Sequence, residues 1–257
     1  MNARAKTLAG QPKLTQVSGP NCWKAAELEG RTDWIHPLSE REITDLESAI
    51  DALSGRPFDT ITRQEFPLPV RGERLAMVRD GVLNGAEVAL LRGLPVAGRD
   101  EQAISRMLWG VGLHLGQAQP PDAAGALLHH VRDTGVNVAG RDDVRTFETN
   151  EAQPWHNDGG DVFALLCRDV ATSGGRSYLA STYAVFNALP KRDPELVRTL
   201  QADFHFDTRG QALPGRGPVQ TAPVFTWHAG KLSMLHKHTT SISHSVSMRY
   251  RASATRK

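Results

Sequence analysis

Two cysteines in 257 residues, Cys22 and Cys167, are too few and too far apart for a disulfide framework or a CxxC-type zinc site. No apolar run approaches the ~20 residues needed to cross a bilayer. The opening stretch MNARAKTLAGQPKLTQ is basic but lacks an apolar h-region, so it does not read as a secretory signal. A formal net charge of +2 gives no electrostatic argument for nucleic acid or a membrane surface as partner. These absences leave the cytoplasm as the default expectation.

The rest of the composition is ordinary for a globular protein, with 40% hydrophobic and 23% charged residues. The length suits one large domain with a substantial core. Residues 1–30 are polar and unpatterned and read as a loose arm with a few docked side chains. Ser39 and Glu42 have capping-box spacing, and Ile43, Leu46, Ile50 and Leu53 recur at helical intervals. A Pro-rich break, Phe66-Pro67-Leu68-Pro69, precedes an expected helix over 73–83. Val88 to Leu91 reads as a buried strand, and Asp100 caps a helix carrying Ile104, Leu108 and Val111. Beyond Ala126 the pattern changes to short strands and Gly-rich turns. Strands are expected at 127–131, 162–167, 177–181, 204–206 and 224–227, helices at 183–189 and 194–200, and a hairpin turn at His228-Ala229-Gly230. Helices first and many short strands later indicate an α+β fold with a sandwich or barrel core.

The stretch with chemistry in it is Pro154-Trp155-His156-Asn157-Asp158. On a strand, the two-residue spacing puts the His156 imidazole and the Asp158 carboxylate on one face. These are two of the three donor types of the 2-His-1-carboxylate facial triad, which leaves open positions on Fe(II). The spacing alone carries little weight. With ten histidines the chain contains a second such pair, His205-Phe206-Asp207, which reads as a hydrogen-bonded pair near a turn.

Context separates the two. After His156 and Asp158 comes Ser173-Gly174-Gly175-Arg176-Ser177-Tyr178, a tight turn feeding an expected strand. The run from Pro154 to Ser181 resembles the taurine/2,4-D dioxygenase-like family. So do Thr32-Asp33-Trp34-Ile35, Leu90-Leu91-Arg92-Gly93-Leu94-Pro95, Pro223-Val224-Phe225 and Gly230-Lys231-Leu232-Ser233. The resemblance covers roughly 30–234. It implies a double-stranded β-helix (jelly-roll) core with N-terminal helices, Fe(II) as metal, 2-oxoglutarate as co-substrate and a small organic molecule as substrate. It implies iron ligation by His156 and Asp158, and a hydrogen bond from Ser177 to the distal 2-oxoglutarate carboxylate. It does not name the substrate or the oligomeric state.

The family also uses a second metal histidine and, shortly after it, an arginine for the co-substrate, both far beyond the HxD motif. This chain ends at Lys257, and His236, His238 and His244 come too early to match. From Lys231 to Lys257 there is no Asp or Glu. The shift after Met234 is the mark expected of a replaced or frameshifted C-terminus. The reading is therefore a 31–234 dioxygenase-like domain, with its core incomplete at the C-terminal end, and a disordered tail over 235–257. Three functional readings follow: an oxygenase, a non-catalytic remnant or interaction protein of the same fold, and a metal protein in which a tail histidine completes the site.

Overall fold

The computed structural model describes residues 15–68, 72–119, 125–136, 146–158, 160–207, 217–236 and 248–249. The first half is helical, as its periodicity requires. α2 (Glu40–Ala52) begins at Ser39, whose hydroxyl accepts the Glu42 N–H, while the Ser39 N–H donates to the Glu42 carboxylate. α3 (Gly72–Asn84) and α4 (Glu101–Leu115) follow, the latter capped by Asp100. Ala103, Met107 and Val111 lie one turn apart on α4. They close on Leu46 and Ile50 of α2, Leu75 of α3, and Phe66 and Leu68 of the Pro-rich segment. Burying each of the larger of these side chains contributes about 1.5–3 kcal/mol. A short parallel pair, β1 (Ile35–Pro37) beside β2 (Leu90–Arg92), completes this half.

A second core forms around α5 (Thr182–Arg192) and α6 (Pro194–Leu200). Tyr183, Phe186 and Val197 pack there against Phe204, Phe206, Phe225 and Leu232. These come from two sheets. β3 (Asp203–Asp207) pairs antiparallel with β4 (Val219–Pro223) on one edge and with β7 (Met248–Arg249) on the other. β5 (Phe225–His228) and β6 (Lys231–Met234) form a hairpin. The turn between them has positive φ at both Ala229 (47°) and Gly230 (81°), the twist-compatible form for a two-residue connection.

Three expectations change. Residues 127–131, 162–167 and 177–181 are not strands in the described structure. Their apolar residues suit a half-buried strand, but a strand also needs a partner to take its backbone groups. Phe163, Leu165, Tyr178 and Leu179 are all more than half exposed. The described sheets have two, three and two strands, so helices with small sheets are present, and a closed double-stranded β-helix is not among the described residues.

Residues 15–30, read as a loose arm, carry α1 (Ala25–Glu29) and a set of anchors. Asn187 of α5 brackets Val17, accepting its N–H at 2.8 Å and donating to its carbonyl at 2.7 Å. The Trp23 indole donates to the Ala86 carbonyl at 2.8 Å. Of the stretch set apart as 235–257, Leu235 packs against the second core, and Met248–Arg249 forms β7. His238 and His244 lie outside the described residues.

Candidate metal centre

Residues 151–158 run between the two cores without regular secondary structure. Within them the structure brings the first predicted pair together: His156 Nε2 lies 3.8 Å from Asp158 Oδ1. The other ring nitrogen settles the tautomer. His156 Nδ1 is 2.7 Å from the Pro154 carbonyl, which can only accept, so Nδ1 carries the proton. Nε2 is left to face the Asp158 carboxylate, the nitrogen through which an imidazole oriented by a backbone carbonyl would bind a metal. Two cis ligands with bonds of about 2.1 Å stand about 3.0 Å apart, so the pair at 3.8 Å would close by somewhat under 1 Å to share a metal. Both side chains are open to solvent, 35% and 50% exposed, which leaves an approach for further ligands. The donor types fit Fe(II): one imidazole nitrogen and one carboxylate oxygen.

The third predicted residue is placed differently. Ser177 is exposed and lies outside any strand, in place of the inward-facing strand position expected of it. The segment with Ser177 does reach the motif through its neighbour. Tyr178 stacks at a tilt on Trp155, ring centroids 6.3 Å apart. Gly174 (φ 74°) and Gly175 (φ 65°) make the turn that precedes it. Consecutive left-handed residues are accessible to glycine with little steric cost.

Among the described residues no group of three His, Cys, Asp or Glu side chains is close enough to hold a metal ion. The second His-x-Asp pair lies on β3, and His205 Nδ1 is 3.0 Å from the Thr221 hydroxyl across the ladder. His205 is thus hydrogen-bonded, but to Thr221 within a strand and not to Asp207 near a turn.

Residues not evident from spacing also hold this region. Asn157, between the two donors, joins His236: its N–H donates to the His236 carbonyl and its Oδ1 accepts the His236 N–H, both at 2.9 Å. Leu166 packs against the helical core. Glu101, at the start of α4, faces His130 (3.5 Å), Arg132 (3.3 Å) and Arg168 (3.9 Å). These exposed pairs are each worth about 0–1 kcal/mol, but they tie the stretches before and after the motif to one helix end.

The family model of taurine catabolism dioxygenase TauD, TfdA matches residues 52–253. This chain belongs to that family of dioxygenases. It is 32% identical over 219 residues to FR-33289 synthase of Streptomyces rubellomurinus, covering 84% of this chain and 65% of the relative. It is 24% identical over 218 residues to the taurine hydroxylase-like protein SAT17 of Stachybotrys chartarum, covering 82% and 56%. Over 110 residues it is 36% identical to a uridine-5'-phosphate dioxygenase of a Streptomyces species, covering 38% and 40%. The chain thus spans less than two thirds of the length of these relatives. No described helix is long and apolar enough to cross a membrane.

Proposed function

We propose that this protein takes part in Fe(II)/2-oxoglutarate-dependent oxidation of a small organic molecule, with His156 and Asp158 as two of the protein ligands to the metal. The observation behind this reading is the oriented pair itself. Nδ1 of His156 is held by the Pro154 carbonyl, and Nε2 faces the Asp158 carboxylate. The iron, when bound, supplies the oxygen chemistry coupled to decarboxylation of 2-oxoglutarate to succinate. The chain's own contribution is to present two donors in a fixed tautomer and to leave the other positions open. Ser177 is assigned the hydrogen bond to the co-substrate carboxylate on the family resemblance, although it is exposed and outside any strand here. The relatives' names specify taurine and uridine-5'-phosphate, both small molecules, which supports a small-molecule substrate. Family membership gives the non-catalytic reading no support.

The test is direct. Purified chain, Fe(II), 2-oxoglutarate, O2 and ascorbate as reductant should yield succinate and CO2, and His156→Ala and Asp158→Ala should each abolish it. The same variants should lose binding of Co(II), a spectroscopic stand-in for Fe(II). Unchanged Co(II) binding in both variants would refute the assignment of the ligands.

A further inference from the structure

β6 is an edge strand, and the direction of its backbone groups decides what it can hold. In an antiparallel ladder the N–H groups of successive residues point to opposite edges. Leu235 N–H donates to the Val224 carbonyl at 2.7 Å and so faces β5. Leu232 N–H donates instead to the Tyr183 hydroxyl of α5 at 3.1 Å, so the even-numbered residues face outward. His236 continues that outward series. Its N–H and carbonyl are the two groups that Asn157 takes up.

Asn157 commits both its backbone N–H and its carboxamide oxygen to one residue of this edge. Among the described residues, these are the hydrogen bonds that link 151–158 to a distant part of the chain. Beside them the segment makes the Trp155–Tyr178 ring contact. Fixing a segment's backbone costs conformational entropy, so a segment ordered before metal arrives keeps that cost out of the binding step.

We propose that Asn157 is a positioning residue for the metal centre. Its two-bond bridge to the His236 backbone clamps the motif against the outer edge of β6, so that His156 and Asp158 meet a divalent metal already paired. This rests on the reading of His156 and Asp158 as ligands. The bridge uses only the backbone of His236.

The experiment compares Co(II) affinity, read by its visible absorption, and amide hydrogen exchange over 154–158 and at residue 236, all in the full chain. Asn157→Ala removes the acceptor. His236→Pro removes the donor from the other side, whereas His236→Ala deletes the imidazole and keeps the backbone bonds. Asn157→Ala and His236→Pro are each expected to weaken Co(II) binding about tenfold, the lower end for residues that orient ligands, and to accelerate exchange of the segment. His236→Ala is expected to match the unaltered chain in both. Asn157→Asp keeps an acceptor oxygen and should restore slow exchange at residue 236; its added charge makes exchange, not affinity, its readout. If Asn157→Ala does not fold, the His236→Pro and His236→Ala pair makes the same comparison. Faster exchange with unaltered Co(II) affinity would overturn the proposal. So would His236→Ala weakening Co(II) as much as His236→Pro, since the imidazole would then be the group at work. Failure of the underlying reading shows separately, as His156→Ala and Asp158→Ala that bind Co(II) undiminished.

Discussion

Arg106 is a charged side chain inside the helical core. It is 5% exposed, and its Nε has no hydrogen-bond partner among the described residues. Its one described hydrogen bond, to the Arg56 carbonyl, is long at 3.5 Å. Its charge is felt by the Asp51 carboxylate, but no ion pair joins the two among the described residues, so it loses more hydration than it regains and an apolar side chain of similar length is expected to serve as well or better. Arg106→Met should therefore leave stability unchanged or raise it by about 1–3 kcal/mol, read as the urea midpoint. A drop of more than about 1 kcal/mol would contradict this account. The proposed metal pair could be read from two letters of sequence because its chemistry is local: both donors lie within three residues, and Pro154, two residues away, holds the imidazole. Asn157 could not be read this way. Its partner lies 79 residues on, and an asparagine between two proposed ligands looks like any polar spacer until β6 is in place.

At the scale of elements, helices were legible and unpaired strands were not. Capping and a 3.6-residue period are written within a helix, so α2, α4 and α6 follow their expected starts at Ser39, Asp100 and Pro194. A strand is defined by its neighbour, and 162–167 has the right side chains with no described ladder. Two glycines of α4 show how packing overrides propensity within one element. A Cβ at Gly110 would lie 2.4 Å from the ring of Phe66, which is fully buried. A Cβ at Gly112 would meet nothing within 4 Å. Gly112→Ala should stabilise the protein by about 0.5–1 kcal/mol through helix propensity alone. Gly110→Ala gains the same term but forces the ring aside, at about 1–3 kcal/mol, so it should be destabilising on balance. Thermal melts of the two variants should move in opposite directions; a shared direction would mean that the α4–Phe66 contact is looser than described.

For the whole molecule, the acid response follows from groups spread over the helical half. Glu65 accepts from the Arg56 guanidinium at 2.6 Å and from the Thr62 backbone and hydroxyl. Arg56 foremost, then Thr62, lower its pKa from 4.5 to about 2. Burial alone would push the Glu42 carboxyl up, but the Ser39 N–H and hydroxyl and the Arg74 guanidinium outweigh it and hold it below the usual range. Asp51 is lowered by the hydrogen bond from Arg99. His36 is lowered too, first by burial and then by the positive charge of Arg74. In each case the folded state binds protons less readily than the unfolded chain. The unfolded state therefore takes up more protons as pH falls, and stability declines with it. His36 acts first, from its ordinary value of 6.5 downward. Glu42 and Glu65 follow below 4.5, and the contribution of Glu65 is lost only toward pH 2. The Arg56–Glu65 pair is exposed and should fade with added salt, whereas Glu42, 2% exposed, should resist it. Urea midpoints are thus expected to fall in two stages between pH 7 and pH 3. At high salt, His36→Asn should remove the upper stage and Glu42→Gln should flatten much of the lower one. A midpoint that holds steady or rises over that range would mean that these groups are not the ones coupling the fold to protons.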